Sequence, residues 1–306
     1  MRGATATRGQ RVQVMADRRI DRQLDRHGFA TFRLVDEQTA ALLLAEHQRL
    51  NPEPGVGFDA DLMRPDPAYR REVARLLADR LGAAVASHTV NHEPFLWNFL
   101  CKWPHDDAQL YLHRDWMFVD ERTGVRSCSL WVALQDITGH NGQLRVLPGS
   151  HRLPSGLSGT NLSPEWIEER SIIEDRLVSL PLRAGEAVVM DHATVHSSFG
   201  NHTDVPRVAV GCALRPAGAP LVHFWSDEHE ARCYPVGVDF FVDYTPVQLL
   251  SAAPEIDGAE VILSPPAALP PEQLLSALAA EEGIGRRLGR SLRRPGPGAA
   301  ADATAH

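Results

Sequence analysis

The chain has 306 residues, of which 43% are hydrophobic, 23% charged and 7% aromatic. This composition is that of a globular protein with a sizeable buried core, so wholesale disorder is excluded. Its 31 Lys and Arg residues against 39 Asp and Glu residues give a formal net charge of -8, which offers no general attraction to a nucleic-acid backbone. We therefore expect one catalytic core with additions and no nucleic-acid partner.

The cysteines and the amino-terminal segment predict the compartment. Cys101, Cys128, Cys212 and Cys233 lie far apart and form no C-x-x-C pair, which favours a reducing compartment over a zinc knuckle or a disulfide scaffold. The first twenty residues lack the apolar stretch of a secretory signal, and no run approaches the roughly 18 apolar residues that span a bilayer. We expect a cytoplasmic protein with a small-molecule substrate and no membrane partner, and we leave open whether it is a monomer or a homodimer.

Composition divides the chain into three regions. Residues 1–21 are expected to form a flexible arm, and residues 285–306 a disordered basic tail rich in Gly, Pro and Ala. Residues 22–284 are predicted to form a single domain, with a β core at about residues 94–225, a helical part before it and an extension after it.

Two segments before the β core have helical periodicity. Asp36 to Leu50 and Pro67 to His88 carry apolar residues at helical spacing together with good helix formers. Because an amphipathic helix must bury its apolar stripe, we expect both helices to cover one face of a sheet.

From Pro94 onward the pattern changes to short apolar runs separated by Gly, Pro, Asn and Asp. This pattern favours eight short strands in a closed barrel or a two-sheet jelly roll. The Asn141–Gly142 pair is typical of a hairpin-type turn, and His151 to Asp175 is predicted to be an inserted loop with a short helix that forms part of a lid. The eight runs are FLWNFLCKW, AQLYLHRDWMFV, CSLWVALQDI, QLRVLPG, RLVSLPL, EAVVMD, RVAVGCAL and PLVHFW.

One strand carries a pattern typical of a metal site. His113 and Asp115 are two positions apart in AQLYLHRDWMFV, so in a strand their side chains share a face. An imidazole and a carboxylate presented together supply two of the three ligands of a facial two-histidine, one-carboxylate Fe(II) site. His105 and Asp107 have the same spacing, but Pro104 indicates a polar loop there rather than a strand.

The third ligand is expected from a later strand. Of the candidates His192, His196 and His202, we favour His196 because it follows an apolar strand, precedes Ser198 by two positions and precedes Arg207 by eleven. A hairpin would place Arg207 beside the metal. The planar guanidinium fork suits the distal carboxylate of a dicarboxylic acid.

The ordered set of His113, Asp115, His196, Ser198 and Arg207 resembles the phytanoyl-CoA dioxygenase family of Fe(II)- and 2-oxoglutarate-dependent oxygenases. The stretch WVALQDITGHNGQLRVLPGSH between the ligands is also similar to that family. The resemblance covers roughly residues 97–216 and implies a double-stranded β-helix, the jelly-roll core that cupins share.

The resemblance assigns roles by position. It implies that His113, Asp115 and His196 bind iron, that Arg207 and Ser198 anchor the far carboxylate of 2-oxoglutarate, and that Trp131 lines the co-substrate pocket. It also implies a further polar residue before the first ligand, for which Lys102 or Gln109 is a candidate. We choose Lys102.

The implied reaction consumes O2 and 2-oxoglutarate, releases succinate and CO2, and hydroxylates a C–H bond of a small organic molecule. Related halogenases lack the carboxylate that Asp115 supplies, so halogenation is disfavoured, whereas desaturation, epoxidation and ring closure stay open. We do not transfer an acyl-CoA substrate. Asn98, Trp116 and Phe118 are candidates for the substrate wall, and residues 224–246 are a candidate cover.

Two other functions fit parts of the sequence. A cupin-like metalloenzyme that uses no keto acid would explain the three ligands but leaves Arg207 and Ser198 without a role. A catalytically silent jelly roll that only binds a small molecule would leave the complete ligand set without a role.

Overall fold

We analysed a computed structural model of the chain, which describes residues 12–105, 110–153, 157–160, 162, 173–227 and 230–262. Its helices are α1 (Arg18–His27), α2 (Glu37–Leu50), α3 (Pro67–His88), α4 (Phe240–Asp243) and α5 (Pro246–Ser251). Its strands are β1 (Phe29–Arg33), β2 (Phe58–Ala60), β3 (His92–Lys102), β4 (Leu110–His113), β5 (Cys128–Ala133), β6 (Leu144–Val146), β7 (Val178–Leu180), β8 (Glu186–Asp191), β9 (His196–Ser198), β10 (Arg207–Pro216), β11 (Leu221–Ser226), β12 (Ala231–Val236) and β13 (Glu260–Ile262).

The strands form two facing sheets and a smaller third one. The large sheet has the order β1-β8-β5-β10-β3-β2, the facing sheet has the order β4-β9-β6-β7, and the third has the order β11-β12-β13. Between β4 and β10 the chain passes repeatedly from one sheet to the other, which is the course of a jelly roll. The predicted fold class, a β-helix core with helices on one face, is confirmed.

Both predicted helices form, and local sequence explains where they begin. The Asp36 carboxylate accepts a hydrogen bond from the backbone N–H of Thr39 at 2.7 Å, and so caps α2. Asp66 caps α3 in the same way through Ala68, at 2.8 Å, and Pro67 occupies the first turn, where its missing N–H costs nothing.

The outer face of the large sheet packs against the helices. Leu43 of α2 and Leu77 of α3 belong to the same buried cluster as Val132 of β5 and Val208 of β10. The inner face of the same strands turns toward the facing sheet, where Trp131 and Ala209 pack with residues of β6 and β7. Since side chains alternate along a strand, one sheet supplies both a helix-covered core and an interior cavity wall.

The amino-terminal boundary differs from the expectation. We predicted a flexible arm to residue 21, but Val14 and Met15 are buried, their backbone N–H groups donate to the Asp21 carboxylate, and α1 begins at Arg18. The polar composition of this segment concealed a helix whose few apolar side chains reach the core.

The Asn141–Gly142 turn also differs from the expectation. Gly142 has a φ of 85°, as predicted for a tight turn, but the turn does not join paired strands. The preceding strand β5 lies in the large sheet and the following strand β6 in the facing one. Most of the predicted lid at 151–175 and all of the basic tail at 285–306 lie outside the described residues.

Within the part of the chain that the structure covers, none of the helices combines the length and the hydrophobicity needed to cross a membrane.

Candidate metal and co-substrate site

The three predicted metal ligands converge between the two sheets. His113, Asp115 and His196 each present a ligand atom, and these atoms lie within 4.8 Å of one another. The Nε2 atom of His196 is 3.8 Å from Oδ1 of Asp115, and the two imidazole rings have their centroids 4.1 Å apart. Two imidazoles and one carboxylate at this spacing form a facial ligand set that leaves other coordination positions open.

Strand pairing accounts for this convergence. His113, the last residue of β4, is the direct partner of His196, the first residue of β9, and the register of the pair is irregular between Leu110 and His113. We had expected Asp115 to lie within the strand, but it lies just beyond the end of β4. Its backbone N–H donates to the carbonyl of His192 at 3.2 Å, which holds the carboxylate beside the two imidazoles.

Hydrogen bonds orient all three ligands. Nδ1 of His113 is 2.7 Å from the carbonyl of Tyr111, and Nδ1 of His196 is 3.0 Å from the carbonyl of Thr194. A carbonyl only accepts, so each Nδ1 carries the proton and each Nε2 keeps its lone pair for a metal. The Ser129 hydroxyl donates to Oδ2 of Asp115, so the carboxylate is also fixed.

The electrostatic surroundings of His113 and Asp115 favour the protonation states that metal ligands need. Burial, with the neighbouring His196 ring, lowers the pKa of His113 to about 4, so its imidazole is neutral at physiological pH. Burial raises the pKa of Asp115, but the surrounding imidazoles of His196, His192 and His113 outweigh it and hold the pKa below its ordinary value. Both groups are therefore already deprotonated, as metal ligands must be.

The other candidate histidines do not belong to the ligand cluster. His105 is exposed and pairs with Asp204 at 3.1 Å, while its predicted partner Asp107 lies outside the described residues. Nδ1 of His192 is 2.5 Å from the Ser127 hydroxyl. Neither His192 nor His202 belongs to the cluster of potential ligands found among the described residues.

Arg207 is a buried cation with open donors. It is only 1% exposed, and its Nη2 donates to the carbonyl of Gly142 at 3.3 Å. Its Nε and Nη1 are buried without a hydrogen-bond partner, and burial lowers its pKa to about 10, which still leaves the guanidinium charged. Because a buried, unsatisfied cation is costly, this group is well suited to a bound anion.

The surroundings of Arg207 are closely packed. The centre of its guanidinium lies 5.3 Å from the centroid of the Trp131 ring. A Cβ atom on Gly142 would lie 2.8 Å from Cδ of Lys102 and 3.2 Å from Nε of Arg207. Gly142 therefore has a second role beyond its turn, since only a residue without a side chain leaves room for both cations.

The path to Arg207 differs from the expected hairpin. β9 and β10 belong to different sheets, so the chain crosses the barrel between His196 and Arg207. Both residues line one cavity because the sheets face each other. Ser198 and Trp131 both line the cavity that contains the metal ligands.

Lys102 occupies a different position. It is the direct partner of Arg207 across β3 and β10, but its ammonium donates to the carbonyl of Phe199 at 2.5 Å. Lys102 is not among the residues that line the cavity. Arg207 rather than Lys102 therefore presents open donors to a bound acid. The alternative residue, Gln109, lies outside the described residues.

The cavity has a volume of about 390 Å³ and is lined by the metal ligands, by Arg207 and by a larger set of apolar side chains. All three predicted substrate residues, Asn98, Trp116 and Phe118, line it. From the predicted cover at 224–246, Phe241 and Tyr244 also reach the cavity, while Phe224 is fully buried in a separate cluster.

Comparisons with known proteins decide the family. A sequence model of the family described as phytanoyl-CoA dioxygenase (PhyH) matches residues 6–209, or 204 of the 306 residues. The chain belongs to the phytanoyl-CoA dioxygenase family. The resemblance predicted from the ligand pattern is thus confirmed, and the match begins well before residue 97, where we had expected it to start.

Curated members and relatives are distant. The chain is 30% identical over 141 residues to phytanoyl-CoA dioxygenase domain-containing protein 1 of Mus musculus, covering 42% of this chain and 45% of that protein. It is 28% identical over 221 residues to the ectoine dioxygenase of Stutzerimonas stutzeri (strain A1501), covering 60% of this chain and 72% of that protein. The match therefore spans less than half of the mouse protein.

Solved structures share the fold of this phytanoyl-CoA dioxygenase family member. A non-haem alpha-ketoglutarate-dependent carbocyclase from nogalamycin biosynthesis is 19% identical with a TM-score of 0.51, covering 68% of this chain and 86% of that one. An epimerase from nogalamycin biosynthesis, in complex with Fe3+, alpha ketoglutarate and nogalamycin RO, is 22% identical with a TM-score of 0.50, covering 84% and 96%.

Sequence reasoning missed several residues of the site. Ser129 lies two positions before Trp131 on β5, so the alternation of strand faces was a signal that it shares the cavity wall. Gly211 interrupts the apolar run RVAVGCAL, and a glycine inside a strand often marks a close approach. The short strand β2 offered no signal, yet Phe58 and Ala60 line the cavity.

Proposed function

We propose that this phytanoyl-CoA dioxygenase family member is an Fe(II)- and 2-oxoglutarate-dependent dioxygenase. The proposed reaction hydroxylates an unactivated C–H bond of a small organic molecule and releases succinate and CO2. The observation that carries the proposal is the presence, in one cavity, of a three-residue ligand set and a buried guanidinium with two unpartnered N–H groups.

The donor set supports iron. Nε2 of His113, Nε2 of His196 and one carboxylate oxygen of Asp115 are the mixed nitrogen and oxygen donors that non-haem Fe(II) prefers, and no thiolate lies among them. Each donor is already oriented by a hydrogen bond on its far side. These residues would hold the metal on one side and leave the opposite side open to the cavity.

The far wall supports a dicarboxylic acid. Arg207 would bind its distal carboxylate through the two N–H groups that have no protein partner, and buried Ser198 lines the same cavity from the facing sheet. Charge-assisted hydrogen bonds of this kind are short and strong, and each contributes about 1.5–3 kcal/mol. The keto-acid end would then point toward the metal ligands.

Iron with 2-oxoglutarate and O2 would supply the oxidising power, while the protein positions, orients and shields. Ser129 holds the carboxylate of Asp115, and the backbone carbonyls of Tyr111 and Thr194 hold the two imidazoles. The apolar walls beyond Trp116 would exclude water and place one substrate carbon beside the open coordination side. The Asp115 carboxylate would occupy one coordination position of the iron, which supports hydroxylation rather than halogenation.

A cupin-like enzyme that uses no keto acid is the alternative, as is a jelly roll that only binds a ligand. The first leaves the open donors of Arg207 without a partner, and the second leaves the three metal ligands without a role. Purified protein with Fe(II), ascorbate and 2-oxoglutarate is expected to release succinate slowly, and an added substrate should increase the rate. Co-substrate binding without succinate would favour the binding-only function, and no co-substrate binding at all would favour the cupin-like enzyme.

A further inference from the structure

The cavity wall has two chemically different parts. One part, called the polar end, holds the metal ligands and Arg207. The other part, called the apolar end, is lined by side chains that carry no carboxylate or amine among the described residues, and they come from β2, the turn after it, β3, the segment after β4, and α4 with its exit. These residues are Phe58, Ala60, Leu62, Met63, Leu96, Trp116, Phe118, Phe241, Tyr244 and Pro246.

Arg114, the remaining charged residue of the cavity wall, does not alter this division. Its guanidinium donates to the carbonyl of Ser150 at 3.2 Å, and Ser150 is not a cavity residue. The guanidinium is thus bound to the backbone beside the ligand strand, and among the described residues the apolar end carries no charged side chain that would pair with a charged substrate group.

The aromatic part of this wall is rigid. The Phe118 ring packs edge-on against Phe241, with centroids 4.7 Å apart, and against Phe95, at 5.3 Å. Trp116 lies 6.2 Å from the same ring. Rings that support one another in this way offer a preformed surface, which favours a ligand with flat or compact apolar groups.

One polar group remains at the boundary between the ends. Asn98 is only 8% exposed, lines the cavity, and its carboxamide makes no hydrogen bond to any other residue that the structure describes. An amide that borders the cavity without a protein partner is open to a ligand, and a ligand group that buried it unpaired would bear a desolvation cost.

The opposing strand leaves space for this amide. Gly211 is the direct partner of Asn98 across β3 and β10, and a Cβ atom there would lie 2.7 Å from Oδ1 of Asn98. The glycine thus permits the position of the Asn98 side chain beside the cavity. An unpartnered amide, a matching glycine and an uncharged wall together describe a binding surface.

We propose that the substrate is a neutral, largely apolar ring compound that forms one hydrogen bond with the Asn98 carboxamide. This inference rests on the proposed function, because it assigns the apolar end to the substrate and the polar end to the co-substrate. It excludes substrates whose reacting part carries a carboxylate or an ammonium group, since burying an unpaired charge there is strongly unfavourable.

Three probes of the same ring size test the proposal: 2-naphthol, 2-methylnaphthalene and 2-naphthoate. Their dissociation constants are measured by equilibrium dialysis against protein loaded with Mn(II) and 2-oxoglutarate, so that the polar end is filled. We expect 2-naphthol to bind at least 10-fold more tightly than 2-naphthoate. Equal or tighter binding of the naphthoate, or no binding of any probe, would overturn the proposal.

Two variants locate the probe. Asn98→Leu should weaken 2-naphthol about 3- to 10-fold, the value of one hydrogen bond, and leave 2-methylnaphthalene unchanged. Met63→Asp places a carboxylate at the apolar end and should weaken both neutral probes, whereas Val56→Asp, at an exposed position outside the cavity, should not. An unchanged 2-naphthol affinity in Asn98→Leu or in Met63→Asp would contradict the assignment.

The same dialysis separates this inference from the proposed function. Labelled 2-oxoglutarate reports on the polar end, and its failure to bind would count against the proposed function. The ranking of 2-naphthol over 2-methylnaphthalene, and its loss in Asn98→Leu, report on the apolar end alone. A protein that binds the co-substrate but prefers the naphthoate would retain the proposed function and lose this substrate class.

Discussion

The two faces of the large sheet carry different kinds of side chain on the same strands. Val208 and Val132 point outward into the cluster under the helices, while their chain neighbours Arg207 and Trp131 line the cavity on the inner face. Outward residues contribute by burying apolar area. Inward residues include Arg207, whose buried Nε and Nη1 have no partner, which reduces stability and agrees with the proposed binding of an anion. A single strand therefore supplies stability and chemistry at alternate positions.

We expect the largest effect on function from a substitution of a metal ligand on the inner face. Asp115→Ala removes one of three ligands, the only anionic one, so we expect metal content to fall far below one equivalent and turnover to drop ~1,000-fold. The effect should greatly exceed any loss of stability, since removing the partner of the Ser129 hydroxyl costs about 1–3 kcal/mol. Metal analysis and circular dichroism on the same sample check both parts. Full metal content in this variant would contradict the assignment.

A matched substitution on the helix-covered face should reduce stability and leave metal binding unchanged. Leu77 of α3 is fully buried against the outer face, so Leu77→Ala should lower the free energy of unfolding by about 2–5 kcal/mol. Metal and co-substrate affinities should not change. Leu42→Ala on α2 is the control, because Leu42 is 58% exposed and its loss should cost less than about 0.5 kcal/mol. A parallel loss of metal affinity in Leu77→Ala would show that the two faces are not independent.

This division also explains what the sequence could predict. Periodicity was enough for α2, α3 and the eight strands, because side-chain burial follows element geometry directly. The spacing of His113 and Asp115 indicated the ligand pair although Asp115 lies beyond β4, where its backbone N–H donates to the carbonyl of His192.

The sequence was less informative about which distant segments lie side by side in the fold. A hairpin was the simplest route to Arg207, but the chain changes sheets between β9 and β10, and local sequence does not encode which sheet a strand joins. Phe58 and Ala60 of β2 reach the cavity from a three-residue strand, which is too short to show alternation. The predicted boundary of the amino-terminal arm at residue 21 was wrong for a similar reason, since Asp21 accepts backbone N–H groups that composition cannot reveal.

On the inner face, we expect a smaller effect from replacing the guanidinium of Arg207. Arg207→Lys keeps a positive charge but loses the planar fork, so we expect the 2-oxoglutarate concentration needed for half-maximal rate to rise about 10- to 100-fold. The rate at saturating co-substrate should change much less. Arg215→Lys is the matched control on the same strand, where the guanidinium pairs with Glu93 at 2.9 Å. An equal shift in both variants would indicate a general effect on β10 instead.

Ser129 should have a smaller effect because it acts through Asp115. Ser129→Ala leaves one carboxylate oxygen without its donor, and we expect metal affinity to fall about 10-fold, at the lower end for residues that orient a ligand. Ser129→Thr retains a hydroxyl and should restore most of that affinity. Competition with a chelator measures both variants. Equal affinity in all three proteins would remove the positioning role.

The smallest expected effect is at the rival His-x-Asp pair. His105 has a φ of 55°, which asparagine tolerates better than alanine does, so His105→Asn is the cleaner substitution. The imidazole is 69% exposed and pairs with Asp204, itself 92% exposed, and an ion pair in water contributes about 0–1 kcal/mol. We expect unchanged iron content and turnover. A loss of metal here would move the ligand pair to a loop before β4 and would leave the direct pairing of His113 with His196 without a function.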